Sequence, residues 1–234
     1  MSFVAAIKRR LRNKHIGHEE TTYRRLLKLG YQPSGIIDVG AYEGNWSRLA
    51  REVWGAVPTV MVEAQESKAA RLRQVSEQEP NLFLELAVLA ASSGQEVTFY
   101  EMETGSSLFP EQSDVARTAK VLQARTLDEV AVCAGASNLF LKIDVQGAEL
   151  EVLKGGNNTL RAASLVQLES AFLPYNKDAP RIGEVISFMQ ERGFEPLDIA
   201  GEVRIQEHLV QIDLLFAPAD SSLRPDYFRF SRSS

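Results

Sequence analysis

Four acidic side chains stand at comparable places in the sequence, each at or near the end of a short apolar run. Asp38 follows Ile36 and Ile37; Glu63 closes Thr59 to Val62; Asp144 closes Asn138 to Ile143; Glu169 closes Leu165 to Leu168. A carboxylate at such a place can accept paired hydrogen bonds from a diol. It can take a proton from a weak nucleophile, or ligate a hard divalent cation through oxygen. Beyond Asp38, Gly40 and Gly44 bracket a sharp bend where backbone can approach a ligand closely. Ligands of open α/β sheets bind in this position, outside the carboxyl ends of the strands.

Two cofactor readings compete for the bend. A dinucleotide site wants G-x-G-x-x-G, whose second glycine admits the pyrophosphate. Here the run is Gly40-Ala41-Tyr42-Glu43-Gly44, and the bulky Tyr42 at that second position argues against NAD or FAD. The D-x-G-x-x-x-G pattern instead resembles motif I of class I methyltransferases, which bind S-adenosylmethionine.

The elements that would position these residues follow a strand-then-helix rhythm from Gly35. Ile36 to Val39 and Thr59 to Glu63 read as buried strands, Trp46 to Val53 and Ser67 to Glu79 as helices, and Leu82 to Ala90 as a third apolar stretch. This alternation predicts a parallel, doubly wound sheet. Gln95 to Met102 and Val121 to Thr126 read as extra strands around a polar insertion, with a short helix from Leu127 to Ala134. Asn138 to Ile143 and Leu165 to Glu169 resume the main pattern, separated by a helix from Ala148 to Leu153 that Gly155-Gly156 ends. A helix from Ile182 to Arg192 and an antiparallel pair, Glu195 to Ile205 and Leu209 to Ala217, close the domain. Upstream, Phe3 to Lys14 reads as a basic amphipathic helix suited to weak peripheral contact with an anionic membrane. Glu19 to Leu29 reads as a second helix, with His15 and His18 in the loop between them rather than on a metal. We therefore expect an N-terminal helical extension over 1–30, a catalytic domain over 31–218 and a loosely held tail over 219–234.

A chain of 234 residues that is 44% hydrophobic fits one α/β domain with a core needing no staples. A formal charge of −5 argues against a general nucleic-acid binder. Cys133 is the sole cysteine, so there is no disulfide framework and no thiolate zinc site, which suits a reducing, cytoplasmic setting. No apolar run reaches the roughly 20 residues of a membrane span, and Met1 to Ile7 is too short for a signal-peptide core.

With the pieces placed, the sequence resembles the FkbM family of S-adenosylmethionine-dependent methyltransferases. Leu141 to Gly155, with Lys142-Ile143-Asp144-Val145-Gln146-Gly147-Ala148-Glu149 at its centre, is similar to that family's signature almost residue for residue. Asp38-Val39-Gly40-Ala41, Val62-Glu63-Ala64, Ser106-Ser107-Leu108 and Thr126-Leu127-Asp128 support it, and the likeness runs from about Ile36 to about Phe194. The family commonly has asparagine after Gly-Ala, where this chain has Tyr42. The resemblance implies a Rossmann-like class I fold: a mostly parallel seven-stranded sheet, helices on both faces, and an antiparallel last strand. It implies O-methylation of a hydroxyl on a sugar, a glycan or a polyketide-like metabolite.

On this reading Glu63 accepts the ribose diol of S-adenosyl-L-methionine, and Asp38 orients the glycine bend or receives the cofactor's ammonium group. Gly40, Ala41 and Gly44 give close approach, Ala64 follows the ribose acid, and Ala87 and Val88 lie near the adenine. A sugar hydroxyl is a weak nucleophile, so Asp144 and Glu169 are the catalytic candidates. Either acts as base, or the two hold Mg2+ or another divalent cation. Asp144 is also close enough to count among the cofactor residues. Glu149 has a sufficient explanation at a helix start, where the dipole favours acids, and His208 is a weaker base candidate. The competing functions are a non-catalytic binding protein that keeps the fold, and an NAD-dependent oxidoreductase. A homo-oligomer stays open.

Overall fold

The computed structural model describes residues 15–225 except 103–104, 113, 132–136 and 174, with the side chains of 15–17 also left out. The basic helix read over Phe3 to Lys14, the thiol of Cys133 and the end of the tail lie outside the described residues.

Seven strands form one sheet: β1 (Gly35–Val39), β2 (Thr59–Glu63), β3 (Leu82–Leu86), β6 (Leu139–Ile143), β7 (Ala163–Ala171), β8 (Phe194–Ile205) and β9 (His208–Pro218). Their order is β3-β2-β1-β6-β7-β9-β8. The first five are parallel, while β9 pairs antiparallel with both β7 and β8. The order turns back at β1, whose neighbours are β2 and β6. The crevice at such a turning point, outside the carboxyl ends of the strands, is where doubly wound sheets bind ligands. Strands β4 (Glu96–Glu101) and β5 (Thr118–Gln123) form a separate antiparallel pair. Pairing with β4 starts β5 three residues before Val121, where the apolar pattern began, and leaves Val121 itself exposed.

The helices are α1 (His15–Lys28), α2 (Asn45–Trp54), α3 (Ala69–Gln78), α4 (Leu127–Val130), α5 (Glu149–Lys154), α6 (Asn157–Ala162) and α7 (Ile182–Gln190). They cover both faces of the sheet. Ile37, Val39, Leu141, Ile143, Val166 and Leu168 point to one side, packed with Val152, Leu153, Leu160, Val185 and Met189 of α5, α6 and α7. Ile36, Phe140 and Leu165 point to the other, packed with Tyr23, Leu26, Leu49, Val53 and Trp54 of α1 and α2. Alternation of neighbours along one strand is what period two requires.

Three differences from the sequence reading have local causes. Helix α1 begins at His15 and so carries His18, exposed on a helix rather than placed in a loop. The glycine pair Gly155-Gly156 ends α5 as read, but a helix the sequence reading did not contain, α6, starts directly after it. The Asp128 carboxylate accepts the Asn158 and Thr159 amides at 3.0 and 2.8 Å, capping α6 from across the fold. Burial works against ionisation of Asp128, but these donors outweigh it and hold its carboxyl below the usual range. The start of the tail is anchored, because Arg224 donates to the carbonyls of Glu195 and Pro196.

Candidate functional site

A cavity of about 800 Å3 opens at the carboxyl ends of β1, β2, β6 and β7, within the roughly 300–1,000 Å3 of small-molecule sites. Gly40, Ala41, Glu63, Ala64, Ala87, Val88, Asp144 and Glu169 all line it, so one space collects most of the residues read from the sequence. Tyr42, Trp46, Ser106, Ser107, Leu173, Tyr175, Gln211 and Asp213 complete much of the wall.

The glycine bend is shaped by contacts of the chain with itself. Gly40 has φ +81°, and a Cβ there would lie 1.9 Å from the carbonyl oxygen of Asp144. The β6 loop thus passes directly over the bend. Gly44 does not line the cavity; it has φ +76°, and a Cβ there would crowd the side chains of Met61, Val75 and Leu72 at 3.2–3.4 Å. Its glycine identity serves the turn into α2 and the packing beneath it, which corrects its reading as a ligand contact. Tyr42 sits between them with φ +53°, its backbone N–H donating to Glu63 Oε2 at 2.7 Å. Glu63 Oε1 accepts the Gln65 amide at 2.8 Å. Burial raises the Glu63 carboxyl above its ordinary value, although these backbone donors pull the other way. Each oxygen keeps a further lone pair for a ligand hydroxyl.

Asp38 is fully buried and off the cavity wall, which replaces the expected contact with cofactor by an indirect role. Ser47 donates to its Oδ2 at 2.7 Å, and the Lys142 ammonium lies 3.1 Å from Oδ1. The same ammonium is 3.5 Å from Asp144 Oδ2 and 5.5 Å from the centre of the Trp46 ring. Burial opposes the charge of Lys142, but Asp38 and Asp144 outweigh it and hold the ammonium firmly protonated. Lys142 is the one cationic side chain among the described residues lining the cavity. It ties the first strand to the acid at the end of β6.

Asp144 and Glu169 are brought together as the strand pairing required. Between them lies the Gln146 amide, donating to Asp144 Oδ1 at 3.0 Å and Glu169 Oε2 at 2.6 Å. Glu169 Oε1 is 2.8 Å from the Tyr175 hydroxyl, which is 3.0 Å from Gln211 Oε1. The environments of the two acids diverge. Burial disfavours ionisation of Asp144, yet Lys142 and the bonds from Glu169 and Gln146 hold its carboxyl well below the usual range. Burial and then the charge of Asp144 push the Glu169 carboxyl well up. The two acids are thus driven apart, and a shared proton favours Glu169 over Asp144.

Glu149 is buried, and its Oε1 accepts the amides of Val145 and Gly147 at 3.1 and 3.0 Å. Burial raises its carboxyl to about 7 against those bonds. It fixes the loop that carries Asp144 and Gln146. His208 is exposed at the start of β9 and does not line the cavity. Among the described residues, no group of three or more His, Cys, Asp or Glu is arranged to hold a metal ion. The N–H donor that reaches both Asp144 and Glu169 is the Gln146 side-chain amide.

Helix α1 supplies part of the wall that sequence reasoning did not assign. Glu19 lines the cavity and accepts from Gln167 at 2.9 Å; Tyr23, beneath it, is 2.5 Å from Gln167 Oε1 and accepts the Trp46 indole N–H at 2.8 Å. Lys142 and Gln146 went unassigned as well, although both stand in the signature stretch.

The methyltransferase FkbM domain model matches residues 38–196, and no curated protein matches the chain. Among solved structures, the chain is similar to a methyltransferase FkbM from Methylobacillus flagellatus at 14% identity and a TM-score of 0.51. That match covers 79% of this chain and 43% of the other, so the chain spans less than half the length of that relative. Magnesium protoporphyrin IX methyltransferase from Synechocystis is similar at 12% identity. With S-adenosylmethionine bound, its TM-score is 0.52, with 93% of this chain and 85% of that one covered. With S-adenosylhomocysteine bound, the TM-score is 0.53, with 93% and 88% covered. At these identities the likeness shows the fold.

Proposed function

The chain belongs to the FkbM methyltransferase family, and from that premise we propose that it transfers a methyl group from S-adenosyl-L-methionine to a hydroxyl of a sugar, glycan or related small-molecule metabolite. The observation that carries this reading is one cavity lined together by Glu63, the Gly40 bend, Asp144 and Glu169. An acid suited to a diol and an acid suited to taking a proton thus share one small-molecule space. Residues 31–218 are taken as the methyltransferase domain, with α1 of the extension closing one wall. No helix among the described residues is long and apolar enough to cross a membrane. A cytoplasmic setting remains part of the proposal, supported by the lone cysteine.

The residues present fit the cofactor. Glu63 keeps acceptor capacity on both oxygens for the ribose, Ala64, Ala87 and Val88 offer an apolar ledge for the adenine, and Gly40 and Ala41 present bare backbone beside Asp144. When bound, S-adenosylmethionine supplies a methyl group already activated by its sulfonium. The chain's part is alignment and removal of one proton. Asp144, ionised and held by Lys142, accepts a hydrogen bond from the acceptor hydroxyl and orients its oxygen. As that oxygen gains the methyl group, its proton becomes strongly acidic, so a carboxylate of low basicity suffices to take it. Glu169, its carboxyl pushed up by burial and the charge of Asp144, helps to fix the position of Asp144.

Asp144 and Glu169 as ligands of a divalent cation form the second reading, and a chelator separates it from the first. The test is transfer of labelled methyl from S-adenosylmethionine to a panel of monosaccharides and extracted glycans, with and without chelator. Label in a hydroxyl-bearing acceptor, unaffected by chelator and lost in Asp144→Asn, is the expected result. Label confined to amines or nucleic acid would overturn the acceptor class, and loss of activity with chelator would restore the cation.

A further inference from the structure

The acid pair is bridged by a side chain that donates two hydrogen bonds. Gln146 has one side-chain nitrogen with two protons, and the two acceptors in reach are Asp144 Oδ1 and Glu169 Oε2. Reversing the amide would set its oxygen against two carboxyl oxygens, so the network fixes its orientation. The backbone of Gln146 is held as tightly. Its φ is +56°, a left-handed conformation that a non-glycine residue adopts at a cost. Its carbonyl accepts from the Ser107 hydroxyl at 2.8 Å and from the Asn176 side-chain amide. The flanking amides of Val145 and Gly147 are both taken by Glu149. Ser107, Asn176 and Glu149 thus hold this one residue so that its amide reaches both acids.

Hydrogen counting extends the pattern. The Tyr175 hydroxyl has one proton and two neighbouring oxygens, Glu169 Oε1 and Gln211 Oε1. That proton serves one of the two at a time, so Tyr175 extends the row of polar contacts from Glu169 to Gln211.

Resting on the proposed methyl transfer, we propose that Gln146 is a positioning residue: its amide occupies the bridging place on Asp144 and Glu169 that a divalent cation would take, and holds the two acids together with two N–H bonds. A cation in that place would need oxygen ligands closing to about 2.0–2.1 Å for Mg2+. The amide offers it protons instead. Replacing the amide by a carboxylate removes both donors and supplies a third acidic ligand, so the chain should become a cation binder by one change of side chain.

The test is Mn2+ binding to the full chain with S-adenosylhomocysteine present, followed by calorimetry and by the electron paramagnetic resonance of free Mn2+. A site counts as the acid-pair site when Glu169→Gln removes it. Wild type should have no such site, and Gln146→Glu should gain one per chain. A Glu169-dependent site in wild type overturns the proposal, and so does failure of folded Gln146→Glu to gain one. Should Gln146→Glu not fold, the nitrogen-15 spectrum of wild type decides. The two side-chain amide protons of Gln146, assigned through its backbone, should be protected from exchange, one shifting in Asp144→Asn and the other in Glu169→Gln. Fast exchange, or signals indifferent to both substitutions, overturns the clamp. Binding of S-adenosylhomocysteine is read separately in wild type, so failure of the cofactor reading is distinguishable from failure of the clamp.

Discussion

Replacing Lys142 by methionine removes the cation that two buried strands share. Asp38 and Lys142 are direct neighbours in the pairing of β1 with β6, and neither side chain reaches bulk water: Asp38 is 0% and Lys142 6% exposed. At 3.1 Å and an effective dielectric constant of about 20, their attraction is about 5 kcal/mol. The contact with Asp144 at 3.5 Å adds less, because that side chain is 36% exposed and screened by water. Breaking a buried pair on one side costs roughly 3–5 kcal/mol, since the remaining charge is stranded. Lys142→Met should therefore lower unfolding free energy by about that much in urea denaturation. The double variant Asp38→Asn with Lys142→Met should recover most of the loss, because the stranded charge is gone. A loss under about 1 kcal/mol in the single variant, or no recovery in the double, would refute the assignment of Asp38 and Lys142 as a mutually dependent pair.

Glu63→Ala should weaken S-adenosylmethionine binding about tenfold or more by calorimetry, with the far-ultraviolet spectrum unchanged. Glu63→Gln, which keeps an acceptor for the Tyr42 amide, should lose less. Gly40→Ala should cost at least about 3 kcal/mol or prevent soluble expression, because its Cβ would meet the Asp144 carbonyl and the backbone stays at φ +81°. Glu149 titrates near 7 when folded and near 4.3 when unfolded, so the folded state binds the extra proton between those values. Its contribution is fully present below about pH 4.3 and is lost as pH rises toward 7. Glu149→Gln, which keeps the acceptor for Val145 and Gly147, should flatten the fall in stability across that window, measured by denaturation at a series of pH values.

The acids at the strand ends were legible because each breaks or closes an apolar run, and parallel strands bring such residues to one edge. Lys142 carried the same kind of signal. A lysine inside Leu139–Ile143, and an aspartate inside Gly35–Val39, are opposite charges in two strands that pair side by side. Reading them required the register, which the sequence of either strand leaves open. The glycines were recognised, but the reason for them was not. Gly40 yields to the backbone of Asp144 and Gly44 to Met61 and Leu72, contacts made by residues far along the chain. Helix α6 was invisible because its cap, Asp128, lies some thirty residues earlier. Glu19 and Tyr23 read as one more amphipathic helix, and only the packing of α1 beside α2 sets Glu19 on the cavity wall with Tyr23 buried beneath it. The unassigned Gln146 shows the same limit: an amide between two acids has meaning only once β6 and β7 are adjacent.

Titration of the wild-type chain with S-adenosylhomocysteine and, in a parallel cell, with NAD, tests the central claim most directly. The account predicts saturable one-to-one heat with S-adenosylhomocysteine, reduced in Glu63→Ala, and none with NAD. Binding of NAD with no response to S-adenosylhomocysteine would contradict it.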